Sequence, residues 1–233
     1  DADPVLMEAK REEWGLNDNF LVRYAKYIGG VVTGDLGTSY RTGNSVAGEI
    51  AQRLPKTMVI ALGGIGLSVL VGVPLGLISA VKQYSFIDYF ARVLAMLLTA
   101  IPAFWLGLMS LLYFCLKHRW LPATGGESAA GFILPVLVLA ASATATQTRT
   151  TRSSVLEAIR QDYVKMARAK GVKESRVIFK HVLRNSILPV ITIAGMNIGV
   201  QMGGTVVIEN VFAISGMGNF LVNSVRVKDA PAI

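Results

Sequence analysis

The sequence has 233 residues, of which 52% are hydrophobic and 16% are charged, and its formal net charge is +8. Soluble domains carry about 25% charged residues, so this composition favours a membrane protein. The only cysteine, Cys115, excludes an internal disulfide and a cysteine-based metal site, and we expect it to be a buried free thiol. His118 and His181 have no companions at metal-ligand spacing, so no metal site is expected.

Four stretches of the chain contain no charged residue: 57–81, 93–116, 128–148 and 185–208. Each is close to or above the length of about 20 residues that a helix needs to cross a bilayer. A spanning segment must be helical, because lipid offers no hydrogen-bond partner to an open backbone. The sequence therefore predicts an all-α membrane protein whose spans cover about residues 55–81, 89–116, 132–148 and 186–208.

The third of these segments differs from the others, because its second half is built of small and hydroxylated residues, ASATAT over 141–146. Such residues allow helices to approach closely inside a bundle, which favours a buried helix. The alternative is a surface segment that never enters lipid.

Positive charge is concentrated in the loop 149–185, which has ten basic and three acidic residues and so carries +7 of the net charge of +8. Short loops rich in Lys and Arg stay in the cytoplasm. This pattern predicts an extracytoplasmic segment 1–54, a transmembrane domain 55–211 with the cytoplasmic loop 149–185, and an extracytoplasmic lip 212–233.

A helix is predicted inside the basic loop, since no Gly or Pro occurs from Glu157 to Lys170 and Gly171 follows as a C-terminal cap. Its apolar residues recur at helical spacing and form a narrow stripe of Ile159, Tyr163, Met166 and Ala167. Small residues before a glycine suit close docking on a protein partner better than insertion into lipid. The loop lacks interleaved stacking aromatics, so nucleic acid is not an expected partner. A second helical stretch is predicted from Glu174 to about Arg184.

The segment 165–171, KMARAKG, followed by Ile187-Leu188-Pro189, resembles the EAA loop of ABC importer permeases, usually written E-A-A-x-x-x-G and then I-x-L-P. Lys165 stands in place of the Glu and Met166 in place of the first Ala, and the gap before Leu188-Pro189 is longer. With these departures, the segment resembles the branch of permeases for dipeptides, oligopeptides and nickel. In that branch A-R-A-K-G is the usual form.

Further motifs of that branch follow in the same order: GDLGTS at 34–39, IPAFW at 101–105, WLP at 120–122 and GGTVVIENVF at 203–212. The lip departs from the family pattern. ISGMG at 214–218 replaces W-P-G-x-G, and KDAPAI at 228–233 replaces R-D-Y-P-V-I. The departures concern substrate delivery rather than coupling.

This resemblance implies the transmembrane domain of a type I ABC importer, a helical bundle with a cytoplasmic coupling helix. The family's first and last spans are expected to lie outside this chain. The implied partners are a second homologous permease, two ATPase subunits, an extracytoplasmic substrate-binding protein and membrane lipid. The residues implied to enter a groove on the ATPase are Tyr163, Ala167, Arg168, Ala169, Lys170 and Gly171.

The sequence shows no phosphate-binding loop of the form G-x-x-x-x-G-K-[ST]. We therefore expect a transport subunit that is not itself an enzyme and binds no cofactor, with ATP and Mg on the partner ATPase subunits. Catalytic residues are not expected. The resemblance implies a multi-pass protein of the bacterial or archaeal inner membrane.

Asn197 and Gln201 lie one helical turn apart in the last apolar window and are candidates for the translocation path. Interhelical hydrogen bonding is the alternative for both. The charge-free windows contain no carboxylate, which argues against a proton-driven carrier.

Peptide import is the main function predicted, with dipeptides, oligopeptides and glutathione as possible cargo. Import of a nickel or other metal chelate is an alternative within the same branch. A different class is a non-transport membrane protein that uses the basic loop to bind lipid or a partner. A membrane enzyme would need an intramembrane constellation of His with Glu, Asp or Ser, and the windows show none.

Overall fold

The computed structural model describes residues 4–13 and 17–233, and within them the chain is helical apart from loops and one isolated bridge between Thr38 and Ser45. The helices are α1 (Pro4–Glu13), α2 (Phe20–Thr33), α3 (Val46–Val81), α4 (Phe86–Ala100), α5 (Ala103–Ser110), α6 (Ile133–Ile159), α7 (Asp162–Ala169), α8 (Glu174–Arg176), α9 (Arg184–Val211) and α10 (Met217–Val227). Turns of π-helix, Leu111–Lys117 and Val177–Leu183, extend α5 and join α8 to α9.

Among the described residues, three helical segments are long and apolar enough to cross a membrane: Val46–Val81, Ala129–Ile159 and Glu174–Val211. The pair Phe86–Ala100 and Ala103–Lys117 makes a fourth if the two are one broken span, since they meet at an angle of 95°. The break falls at Ile101-Pro102, where both residues have extended backbone. Proline disfavours the helical conformation of the residue before it, so the window predicted as one span is divided there.

Two glycines on α3 allow it to pack closely against α6. A Cβ on Gly76 would lie 2.6 Å from the carbonyl oxygen of Thr148, and a Cβ on Gly72 would lie 2.9 Å from the Cβ of Gln147. The spacing of four residues places both glycines on the same side of α3. This contact places α6 inside the bundle, as the small residues of its second half predicted.

The described residues fall into two units, one that ends at Gln52 and includes Asn223–Ile233, and one of Arg53–Val222. In the first unit, the buried carboxylate of Asp229 accepts hydrogen bonds from the hydroxyl of Ser39 at 2.5 Å and the backbone N–H of Tyr40 at 2.9 Å. These bonds join the GDLGTS motif to the KDAPAI segment.

Two hydrophobic clusters form the core of the second unit. One brings together α3, the π-helical turn 111–117, α6 and the end of α9, and Cys115 is buried in it as a free thiol, as predicted. The other gathers the ends of α3 and α6 around α7 and the π-helical turn 177–183. By the predicted orientation this second cluster, which we call the loop cluster, lies at the cytoplasmic side.

Candidate coupling site

The helix in the basic loop is shorter than predicted. α6 continues to Ile159, well into the predicted loop. The helix is interrupted at Arg160-Gln161, where Gln161 has extended backbone (φ −71°, ψ 150°). α7 then covers Asp162–Ala169, so the prediction of one helix from Glu157 to Lys170 is wrong. The break allows Val155 on α6 and Val164 on α7 to enter the same loop cluster.

The inward face of α7 consists of Val164 and Ala167, which are buried in the loop cluster. Tyr163 and Met166 point outward and are 40% and 60% exposed. The predicted apolar stripe is therefore divided, because Tyr163 and Met166 are exposed while Ala167 packs inside the protein. Val164 takes the inner position because residues three apart share a helix face and Ala167 is small enough to pack beside the π-helical turn.

The loop cluster joins α7 to every neighbouring segment of the bundle at this end. It consists of Leu77 and Ala80 from α3, Val155 and Ala158 from α6, Val164 and Ala167 from α7, and Val177, Ile178 and Val182 from the π-helical turn. Close-packed interiors transmit displacement because they leave few voids to absorb it. α7 is thus packed against α3, α6 and the π-helical turn that leads into α9.

Gly171 ends the helical segment in a left-handed conformation with φ of 75°, as its position predicted. The N–H of Val172 donates to the carbonyl of Ala167 and that of Gly171 to the carbonyl of Arg168, which closes the turn. A Cβ at Gly171 would meet no atom within 4 Å. The glycine is needed for the backbone conformation, and the space around it is open.

Arg168 crosses this turn to reach Glu174, with Nε 3.1 Å from Oε2 and Nη2 2.6 Å from Oε1. The hydrogen bonds from Arg168 to Glu174 raise the pKa of Arg168, which stays charged. Both side chains are exposed, so the pair adds at most about 1 kcal/mol to stability. Its effect is to hold the guanidinium at the end of α7.

The predicted coupling residues thus form two groups. Tyr163, Arg168, Ala169, Lys170 and Gly171 are exposed on α7 and its terminal turn, whereas Ala167 is buried on the inner face. Met166, three residues after Tyr163, is also exposed and forms an outer edge of α7 with it, but it was not among the predicted coupling residues.

A buried ion pair that the sequence did not indicate lies beside the loop cluster. The carboxylate of Asp88 on α4 is inaccessible to solvent and accepts two hydrogen bonds from Arg152 on α6. It also accepts from the hydroxyl of Ser79 at 2.6 Å and the N–H of Tyr84 at 3.0 Å. Asp88 therefore binds α3, α4 and α6 together.

A second buried carboxylate, Glu209, lies inside α9 one residue beyond the charge-free window and is fully buried. It accepts from the hydroxyl of Thr57 at 2.6 Å and from the N–H of Asn219 at 2.9 Å, and Thr57 in turn accepts from the N–H of Met217. A Cβ on Gly216 would overlap the Glu209 carboxylate. The expectation that this span carries no carboxylate is therefore wrong, because α9 extends past the charge-free window and includes Glu209. With both its oxygens hydrogen-bonded, Glu209 anchors the first turn of α10.

Of the two path candidates, Gln201 is buried and donates from Nε2 to the carbonyl of Leu139 at 3.1 Å, which links α9 to α6. Asn197 is partly buried, and its Nδ2 has no hydrogen-bond partner in the described part of the chain. The hydrogen bond of Gln201 favours the interhelical role. The Nδ2 donor of Asn197 is not used within the described residues. Within residues 4–13 and 17–233 no group of three or more His, Cys, Asp and Glu side chains could hold a metal ion.

A bundle of helices long and apolar enough to cross a membrane, with α7 packed into the loop cluster at one end, defines a helical membrane protein. Residues 72–233 match the profile of the family described as binding-protein-dependent transport system inner membrane component, and the chain belongs to this family.

Relatives from several bacteria extend this similarity to nearly the whole chain. An oligopeptide transport system permease protein of Bacillus subtilis is 41% identical over 99% of this chain and 78% of its own length. A putative peptide permease protein of Brucella suis is 41% identical over 97% and 75%. A glutathione transport system permease protein of Escherichia coli K12 is 36% identical over 100% and 76%.

Among solved structures, the crystal structure of an amino acid ABC transporter with histidines matches with a TM-score of 0.61 and 16% identity. The match covers 79% of this chain and 82% of that one. At this identity it shows a shared fold alone.

Proposed function

We propose that this chain is the permease subunit of an ATP-driven importer of short peptides, and that α7 is its coupling helix. The cargo is inferred from relatives named for oligopeptides, peptides and glutathione. All three kinds of compound are peptides. Import of a nickel chelate stays an alternative prediction.

The observation that carries the proposal is the two-sided construction of α7. Its inner face, formed by Val164 and Ala167, packs in the loop cluster. Its outer edge exposes Tyr163 and Met166. Tyr163 and Met166 lie three residues apart on one side of α7, and aromatic and Met side chains are enriched at the centre of protein interfaces. The outer edge binds an ATPase subunit, and the inner face packs on three other segments of the bundle. α7 therefore connects the ATPase to the membrane helices.

The proposed partners are those that membership of this family implies. ATP and Mg are bound by two ATPase subunits on the cytoplasmic side, with a second homologous permease completing the path and an extracytoplasmic protein delivering the cargo. Multi-pass residence in a bacterial or archaeal inner membrane, with α7 in the cytoplasm, follows from the basic loop. Asn197 is proposed to face the path, and Gln201 to hold α6 against α9 beside it.

Co-purification with the ATPase subunits tests the coupling role. Replacing Tyr163 and Met166 by Ala together should remove most of the bound ATPase, because exposed aromatic and Met side chains are typical anchors of interfaces. Arg176 and Lys180 are exposed in the same basic region but lie off α7, so R176Q/K180Q is the matched control and should retain the ATPase. Equal recovery of ATPase with both variants would exclude α7 as the docking helix.

A further inference from the structure

A cavity of about 630 Å³ opens between α4 and α6 and extends to Gln161, the residue before α7. Its polar lining is dominated by Arg92, Arg149, Arg152 and Arg160, and Met96 and Leu156 supply apolar surface. Positions 149, 152 and 156 of α6 and Arg160, which caps it, recur every three or four positions, so they share one helix face. The cavity therefore combines a row of guanidinium groups with aliphatic walls.

The positive charge in this cavity is only partly neutralised by the chain itself. Arg152 is bound to Asp88, and Arg92 lies 3.5 Å from the same carboxylate. Arg149 and Arg160 are exposed and make no ion pair with any described residue. Among the described residues that line the cavity, Glu157 is the one carboxylate. Two guanidinium groups are thus left to bind an anion.

The surface next to the cavity is apolar and exposed along α4. Phe86, Phe90, Val93 and Leu97 all lie more than half exposed on this helix. An apolar face of this kind on a membrane protein is the surface that acyl chains cover. The arginines lie at the end of α6 that the basic loop places in the cytoplasm, which is the level of lipid headgroups.

We infer that this cavity binds the phosphate group of an anionic phospholipid of the cytoplasmic leaflet, with the acyl chains lying along α4. Guanidinium groups bind phosphate through paired hydrogen bonds, and basic pockets between membrane helices on the cytoplasmic side suit anionic headgroups. The continuity of the arginines with an exposed apolar helix face favours a lipid over a soluble anion. The inference rests on membrane residence and orientation, not on the cargo or on ATPase coupling.

The test uses the full chain in phosphatidylcholine nanodiscs, with phosphatidylglycerol added and bound lipid counted by native mass spectrometry. R149Q/R160Q should weaken phosphatidylglycerol binding about 25-fold, since each basic residue near the surface contributes about fivefold. R176Q/K180Q removes the same charge from the same basic region without touching the cavity, and should change binding by less than about twofold. Phosphatidylcholine retention should be unchanged in both.

Three results would overturn the inference. Equal loss in R149Q/R160Q and R176Q/K180Q would mean that only general charge attracts the lipid. Displacement of phosphatidylglycerol by inorganic phosphate at the same concentration would assign the cavity to a soluble anion. Unchanged lipid binding with loss of ATPase association would assign the arginines to a protein partner. If the double variant does not fold, Arg160→Gln alone, which removes an exposed and unpaired side chain, should still give about a fivefold loss.

Discussion

Arg152 holds the buried carboxylate of Asp88 through two hydrogen bonds, Nε to Oδ1 at 2.7 Å and Nη2 to Oδ2 at 3.0 Å. The two residues are far apart in sequence and join α4 to α6 beside the loop cluster. Ser79 of α3 donates to the same carboxylate. The ion pair therefore holds together the helices that α7 is proposed to move.

Removing the arginine alone should strongly destabilise the protein. Arg152→Gln removes both hydrogen bonds of the guanidinium and leaves the buried Asp88 carboxylate with the more distant Arg92, 3.5 Å away, as its counterion. Breaking a buried pair costs about 3–5 kcal/mol of unfolding free energy. Unfolding in detergent, followed by circular dichroism, measures the loss. Arg149→Gln, which removes an exposed arginine three residues away, is the control and should change stability by less than about 0.5 kcal/mol.

Removing both charges should be milder than removing one. D88N/R152Q leaves no unpaired charge, so most of the stability lost in Arg152→Gln should return. A double variant as unstable as the single one would show that packing around Arg152, and not the charge of Asp88, is what matters.

Thr57 should be required for the attachment of α10. Thr57→Val removes the donor to Glu209 and leaves the N–H of Met217 without its acceptor, which costs about 1–3 kcal/mol. Thermal unfolding measures the loss. Thr192→Val, whose hydroxyl bonds only to its own helix, is the control and should be close to neutral. Equal stability of the two variants would contradict the anchoring role.

The spans could be predicted because hydropathy and charge act locally, and lipid leaves a backbone no alternative to the helix. The cap at Gly171 was predictable for the same reason, since a left-handed residue after a helix calls for glycine. Pro102 marks the break between α4 and α5, although a composition window cannot give its angle of 95°.

What the sequence could not predict depends on contacts between distant segments. Gln161 is neither Gly nor Pro, and the break there follows from the packing of Val164 into the loop cluster. Because Val164 packs inward, Tyr163 and Met166 lie on the outer edge of α7. Asp88 and Glu209 gave no local signal of burial, because Arg152 and Thr57, which stabilise them, are remote in sequence.

The two faces of α7 should respond differently to truncation. Val164→Ala removes buried methyl groups and leaves a cavity in the loop cluster, which should cost about 2 kcal/mol of stability. Met166→Ala removes an exposed side chain and should change stability by less than about 0.5 kcal/mol, but weaken ATPase binding about fivefold. Unfolding and co-purification measured on both variants separate the effects, and a Met166→Ala variant that loses stability but not ATPase would contradict the assignment of faces.

Substitutions at Gly171 should separate backbone strain from coupling. Gly171→Ala places a Cβ on a left-handed residue, which costs about 1–2 kcal/mol, but the Cβ meets no atom of this chain. Gly171→Asn adopts this conformation with less strain and should fold well. Gly171→Asp has nearly the same shape and adds a negative charge close in sequence to Arg168 and Lys170, whose positive charges suit an acidic partner surface.

We therefore expect Gly171→Asp to insert normally and to retain ATP hydrolysis in the assembled transporter, while peptide uptake falls about tenfold relative to Gly171→Asn, a difference of about 1.4 kcal/mol in coupling. Uptake of labelled peptide and phosphate release, measured on the same proteoliposomes, give the ratio. Unchanged uptake in Gly171→Asp would contradict a role in coupling. A Gly171→Asn variant that loses uptake to the same extent would show that the size of the side chain at the terminal turn of α7, and not its charge, blocks the partner.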